Sequence, residues 1–249
     1  MLFLRSLVFN LIYVTTVIPF AILVAVAAPF HRETGVWFAA AWARLVFWSL
    51  KHVCRIDWRI EGAENIPAEP AIAYWKHQSA WETLAQLLVF PKQSWVLKRE
   101  LMWIPLIGQA LMAIKPIPID RASGHTAVNQ VLKIGSERLQ QDGMWVMIFP
   151  EGTRMPPGTT RRYGISGALL AEKTGRPIVP VAHNAGDFWR RNAFLKYPGT
   201  VQLRIGKPVY SKGRHPEEVN KEIQDWIEAQ MKEISPGYAG VVLQKGQKP

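Results

Sequence analysis

Residues 6–30 contain no charged side chain. As a helix, these 25 residues rise about 37 Å, enough to cross a hydrocarbon core of about 30 Å. Ser6, Asn10, Thr15 and Thr16 soften the apolar character, and Pro19 predicts a kink near the middle. A cleaved signal peptide is the competing reading, with Arg5 as its basic start and Ala25-Val26-Ala27 as its cleavage site. Two features oppose it. The stretch is long for a signal core, and apolar, Trp-rich sequence resumes from Val36 to Trp48. That continuation predicts a second helix over 36–54. Arg44, Lys51 and Arg55 make it a helix lying in the membrane interface rather than crossing it. Arg32, Arg44, Lys51, Arg55 and Arg59 follow the apolar stretch, whereas Arg5 alone precedes it. The positive-inside bias therefore places the rest of the chain on the cytoplasmic face of the inner membrane. A true span and a kinked, half-inserted anchor both fit.

Beyond residue 55 the periodicity changes. Ile56, Trp58 and Ile60 alternate with polar residues, and short apolar runs at 71–75, 95–97, 144–149 and 178–181 read as strands. Helical spacing separates them at 81–90, 107–114, 124–141 and 167–173. Pro116 and Pro118 restrict 115–119 to an edge strand. Pro216 opens an amphipathic helix carrying Val219, Ile223, Trp226, Ile227 and Ile234. Such alternation predicts an α/β domain with a largely parallel or mixed sheet flanked by helices. The expected organisation is a membrane-associated helical segment at 1–55, a catalytic domain at 56–235 and a polar tail at 236–249.

The chain is 49% hydrophobic and 20% charged, with 11 Trp and a formal net charge of +11. That combination favours a membrane surface or an anionic ligand. Trp37, Trp42 and Trp48 are expected at the interface, and Trp58, Trp75 and Trp145 in the core. The single cysteine, Cys54, excludes a disulfide framework and a multi-cysteine metal site, and is expected to be inert. No Gly-x-Ser-x-Gly elbow, P-loop or His-Glu-x-x-His helix is present. His183 lies in an apolar strand-and-turn stretch and reads as structural.

His77 and Glu82 sit where a strand gives way to a helix, the usual place for functional groups in an open α/β sheet. A carboxylate in the first helical turn is placed to fix the tautomer of such a histidine and to stabilise its protonated form. Phe149-Pro150-Glu151-Gly152-Thr153-Arg154 follows another strand, and its glycine, backbone N–H groups and Arg154 suit a phosphate. Arg161 and Arg162 add charge nearby.

The order and spacing of these segments resemble the glycerolipid acyltransferase family. His77 to Glu82 matches its His-x4-Asp block, Ile117-Pro118-Ile119-Asp120-Arg121 its second, Phe149 to Arg154 its third, and Ile178-Val179-Pro180-Val181 its fourth. Glu82 in place of the usual Asp is the one departure that touches chemistry. The resemblance implies transfer of a fatty acyl group from acyl-CoA or acyl-carrier protein to the hydroxyl of lysophosphatidate, giving phosphatidate. It implies His77 as general base and Glu82 as its orienter. It carries phosphate-binding roles to Arg121, Glu151, Gly152 and Arg154, with Glu151 better suited to orienting a basic group, since a carboxylate repels phosphate. No metal or redox cofactor is implied, and the implied partners are the lipid bilayer, lysophosphatidate and the thioester donor. Trp81, Leu101, Trp103 and the helix after Gly108 are expected to line an acyl groove. Acyl transfer to another lyso-lipid is the nearest alternative. A non-catalytic protein that binds anionic lipid stands further off, and a nucleic-acid partner is not expected.

Overall fold

The computed structural model describes residues 1–120 and 122–243. The chain opens with two helices, α1 (Leu2–Ala27) and α2 (Arg32–Ser49), the second ending in one π-helical turn, Leu50–Cys54. The α/β portion then runs β1 (Ile56–Glu61), β2 (Ile72–Trp75), α3 (Trp81–Val89), β3 (Gln93–Lys98), α4 (Ile107–Leu111), β4 (Ile117–Ile119), α5 (His125–Gln140) and β5 (Trp145–Ile148). It continues with β6 (Thr159–Thr160), α6 (Ser166–Thr174), β7 (Ile178–His183), α7 (Ala185–Phe188), β8 (Gly199–Ile205), α8 (Pro216–Ile234) and β9 (Val241–Val242).

Among the described residues, seven strands form one sheet in the order β1-β8-β7-β2-β5-β3-β4. Pairing is parallel except between β7 and β8, so β8 and β1 run against the other five. This is the expected α/β architecture. β8 is the one long strand missing from the sequence reading, although Val201, Leu203 and Ile205 point inward with polar residues between them. The proline-containing β4 is indeed an edge strand.

Strand alternation divides the core between two faces. Ala73, Trp75, Trp145, Met147, Val179 and Val181 face a cluster built with α2 and α3. Ile72, Tyr74, Val146, Ile148, Ile178 and Ala182 face a second cluster built with α5, α6 and α8. The three central strands are buried throughout, as a sheet covered on both sides requires. Trp75 and Trp145 lie in this core, whereas Trp37 and Trp48 are exposed.

The amino-terminal helices are not a detached appendage. Phe9, Ala43, Val46, Phe47 and Leu50 belong to the same cluster as Trp75. Asn10 donates to the Phe194 carbonyl at 3.0 Å, and the Lys196 N–H donates to the Ser6 hydroxyl at 2.9 Å. The opposite face of α1 presents Phe3, Leu7, Leu11, Val14, Ile18, Ile22 and Val26 outward, all apolar and exposed. Among the described residues α1 is the one helix long and apolar enough to cross a membrane. The segment expected to be a polar tail, 236–249, buries its third residue, Tyr238, and its β9 pairs with β6.

One close contact fixes α6 against the sheet. Gly167 lies under the Tyr74 ring, and a Cβ there would fall 2.2 Å from a ring carbon. The Tyr74 hydroxyl also accepts the Ala168 N–H at 3.1 Å. Gly167→Ala is expected to cost about 1–3 kcal/mol through overpacking. A thermal melt showing an unchanged Tm would contradict this packing.

Candidate active site

Three adjacent strands, β7, β2 and β5, end at the same edge of the sheet, and the groups singled out in the sequence leave from that edge. β2 delivers Lys76 and His77, β5 delivers the 149–154 loop, and β7 ends at His183. After His77 the chain turns through residues 78–80 into α3. Glu82, in the first turn of α3, folds back over that turn. Its Oε1 accepts the N–H groups of Gln78 and Ser79, both at 2.9 Å, and its Oε2 accepts Ser79 again at 3.0 Å. Oε1 is also 2.8 Å from His77 Nδ1.

The single carboxylate of Glu82 thus closes the 78–79 turn and holds the histidine. Burial pushes the Glu82 carboxyl up, but the His77 hydrogen bond, the nearby His183 and the Ser79 N–H outweigh it, so its value lies below the ordinary one. An ionised acceptor on Nδ1 assigns the ring proton to Nδ1 and makes Nε2 the basic nitrogen. The ring stacks on Phe149, with centroids 3.9 Å apart at 18°. Its side chain keeps 9% of its surface exposed, against none for Glu82.

The 149–155 loop grips the main chain of His77 from both sides. Glu151 Oε2 accepts the His77 N–H at 2.9 Å, and the Met155 N–H donates to the His77 carbonyl at 2.7 Å. The other oxygen of Glu151 accepts Lys76 Nζ at 2.8 Å. Both side chains are fully buried. Lys76 also donates to Glu228 Oε1 at 2.9 Å and to the Tyr238 hydroxyl at 2.8 Å. Thr160 and Tyr163 donate to the same Glu228 oxygen at 2.7 and 3.1 Å, and Tyr238 donates to its other oxygen. Burial pushes the Glu151 carboxyl up to about 7 against the pull of Lys76. Burial works to lower the Lys76 ammonium, but Glu151, Tyr238 and Glu228 together hold it above its ordinary value. Gly152 adopts φ +70°, and a Cβ there would meet nothing within 4 Å, so the turn itself calls for glycine.

His183 is fully buried behind the pair. Its Nε2–H donates to the Lys76 carbonyl at 2.7 Å and lies 3.8 Å from Glu82 Oε2, while its Nδ1 accepts the Ala185 N–H at 3.3 Å. Burial lowers its basicity against the pull of Glu82 and of the Lys76 carbonyl.

One recess shares walls with this centre, and a second lies on the helices around α3. A cleft of about 760 Å³ is lined by Phe149, Gly152, Arg161, Arg162 and Ser166 at the start of α6. A smaller apolar pocket of about 190 Å³ lies between α1, α2, α3 and α4, with Val17, Trp42, Leu84 and Leu111 among its walls. The helix after Gly108, expected at an acyl groove, supplies Ala110 and Leu111 to this pocket. Trp81 is buried in the core, and Leu101 and Trp103 are exposed elsewhere. Arg154 is half-buried, and its carbonyl accepts Arg191 at 3.4 Å. Arg121 lies outside the described residues. The sequence reading did not single out Lys76, Glu228, Tyr238 or Thr160. The one local signal was a lysine immediately after an apolar strand, which reads equally well as a solvated strand end.

The family model described as Acyltransferase matches residues 57–184, the stretch that carries this constellation. The chain belongs to that acyltransferase family. It is 42% identical over 198 residues to the 1-acyl-sn-glycerol-3-phosphate acyltransferase of Pseudomonas aeruginosa, which covers 78% of this chain and 77% of that protein. It is 29% identical over 180 residues to 1-acyl-sn-glycerol-3-phosphate acyltransferase alpha of Mus musculus, covering 71% of this chain and 63% of that one. The crystal structure of the 1-acyl-sn-glycerophosphate (LPA) acyltransferase of Thermotoga maritima superposes with a TM-score of 0.76 at 22% identity, over 94% of this chain and 97% of the other. At that identity the likeness defines the fold.

Shortening Glu82 tests the geometry directly. In Glu82→Asp the carboxylate retreats by about one C–C bond length and loses either the turn or the imidazole. Turnover in acyl transfer is expected to fall about 10²-fold, the scale of a 1 Å misplacement. Glu82→Gln, which removes the charge facing the imidazolium, is expected to fall about 10²–10⁴-fold. Steady-state kcat of either variant equal to that of the parent would contradict this arrangement.

Proposed function

We propose that this chain transfers a fatty acyl group from a thioester donor to the hydroxyl of 1-acyl-sn-glycerol-3-phosphate, giving phosphatidate. The single observation that carries the reading is the buried His77–Glu82 pair, whose ring stacks on Phe149 in the wall of the cleft that holds Arg161 and Arg162. The names of the relatives from Pseudomonas aeruginosa and Mus musculus support the choice of acceptor.

In this reading Nε2 of His77 takes the acceptor's hydroxyl proton as the oxygen attacks the thioester carbonyl. The tetrahedral intermediate collapses with cleavage of the C–S bond, and the imidazolium returns its proton to the departing thiolate. Glu82 stabilises the imidazolium between these steps. Direct attack needs no enzyme nucleophile. Cys54 is poorly suited to be one, since burial pushes its thiol up to about 11. The phosphate is assigned to the Gly152 turn, with Arg121 and Arg154 as its guanidinium donors and Arg161 and Arg162 on the cleft wall. Glu151 acts there through the main chain of His77 rather than on the ligand. The acyl chain of one substrate occupies the apolar pocket.

The outward apolar face of α1 enters the membrane in this reading, with the domain held alongside by the inner face. That favours half-insertion over a perpendicular span, because the inner face is already occupied by the core. The basic residues after Phe30 favour the cytoplasmic side. Acyl-CoA and acyl-carrier protein both fit as donors, and no cofactor is needed.

An acceptor panel tests the proposal. Purified protein with labelled acyl-CoA or acyl-carrier protein is expected to form phosphatidate from lysophosphatidate. Monoacylglycerol, which leaves the charged site unfilled, and lysophosphatidylcholine, whose phosphodiester carries less charge and a bulky choline, are expected to react at least about 10²-fold more slowly. Arg154→Ala is expected to raise KM for lysophosphatidate with little change in kcat. Equal rates with all acceptors, or an unchanged KM, would sink the phosphate assignment.

A further inference from the structure

Lys76 is an unusual residue to find fully buried, and its partners come from the far end of the chain. Glu228 lies 152 residues away on α8, and Tyr238 lies 162 residues away, beyond the end of that helix. We propose that Lys76, Glu228 and Tyr238 are positioning residues for the acyl transfer: through Glu151 they set the place of the His77 main chain, so the last helix and the segment after it belong to the catalytic apparatus. This inference rests on the acyltransfer reading above.

A purely stabilising role fits the observations poorly. Withdrawing an ammonium and a carboxylate from water costs several kcal/mol per ion, and well-packed apolar residues of similar volume often serve stability as well or better. What an apolar replacement lacks is the division of labour on Glu151. One carboxylate oxygen is taken by Lys76 and the other by the His77 N–H. Without the ammonium, Glu151 becomes an uncompensated buried carboxylate facing Glu228, which must protonate or turn away. Either change releases the N–H that locates the base.

The Lys76 backbone is braced separately, by His183 on its carbonyl. Side chain and main chain of Lys76 are therefore held from opposite sides of the strand end. Glu228 is the hub on the other side, receiving Lys76, Thr160, Tyr163 and Tyr238. The tail is laid against this hub by the β6–β9 pairing and by the Leu243 N–H on the Thr160 carbonyl at 2.9 Å. Any shift of the tail is passed to Thr160 and Tyr238, and so to Lys76.

Glu228→Gln and Tyr238→Phe in the full chain test the proposal, since both keep the side-chain volume and neither replaces a group facing the reacting atoms. Three readouts are taken: kcat and KM for lysophosphatidate, Tm, and amide hydrogen exchange over residues 76–80. The expected result is a kcat lowered by about tenfold or more, part of the cost of a 1 Å misplacement of the base, with an unchanged KM. Exchange over 76–80 should rise while exchange in β8 stays as it was. Lys76→Met is expected to be the most damaging single change, and Lys76→Met with Glu151→Gln, which removes both charges, less damaging than Lys76→Met alone. Unchanged kcat in Glu228→Gln and Tyr238→Phe would overturn the proposal even if Tm falls. So would a raised KM with kcat preserved. Failure of the parent chain to acylate lysophosphatidate would count against the function above, while unaltered exchange over 76–80 in the variants would count against this inference by itself.

Discussion

A carboxylate with no water around it has to be surrounded by donors, and the site is organised around that requirement. Glu82 is fully buried and ionised because two backbone N–H groups and an imidazole converge on it. Satisfying it dictates the turn at 78–79, the start of α3 and the tautomer of His77 at once. The turn can form there because β2 stops at Trp75, between β7 and β5, whose ends supply the remaining contacts. The central parallel strands therefore do more than form a core. They bring the ends of three connections to one point, which is how open α/β sheets place their sites.

The second buried carboxylate, Glu151, works by the same physics with a different partner. Its opposite charge is Lys76, and the pair spans from the 149–155 loop to the strand carrying His77. Together the two glutamates fix both ends of the histidine, one through its ring and one through its peptide. In the proposed function the apolar face of α1 addresses a separate problem, since a fatty acyl chain has to reach this point without crossing water. α1 and α2 supply walls of the apolar pocket next to α3, so in the proposed function the surface that meets the lipid and the pocket that holds the chain are made by the same helices.

Much of the fold was legible because its periodicities are local. Residues 71–75, 144–149 and 178–181 are short apolar runs with helical spacing between them, and that pattern led directly to the parallel part of the sheet. β8 was equally readable in its alternation, but its direction depends on a pairing with β7 that no local pattern encodes. His77 and Glu82 lie five residues apart, close enough for one turn to join them, so their relation was visible. Lys76, Glu228 and Tyr238 meet only because α8 packs on the sheet and the chain then returns along β6. A lysine after a strand and a glutamate on an amphipathic helix look like surface residues until that packing is known. The amino-terminal helices were legible as apolar but not as part of the core, because Phe9, Phe47 and Leu50 reveal their partners only in three dimensions.

The central claim is that the Nε2 of His77, held by Glu82, removes the acceptor's proton for direct attack on the thioester. Single-turnover formation of phosphatidate by His77→Ala, with folding followed by circular dichroism and membrane association by vesicle flotation, tests it most directly. The account predicts a rate lowered by about 10²–10⁴-fold, the contribution of a positioned general base, in a protein that still folds and still binds vesicles. Near-parental turnover in that variant would contradict it.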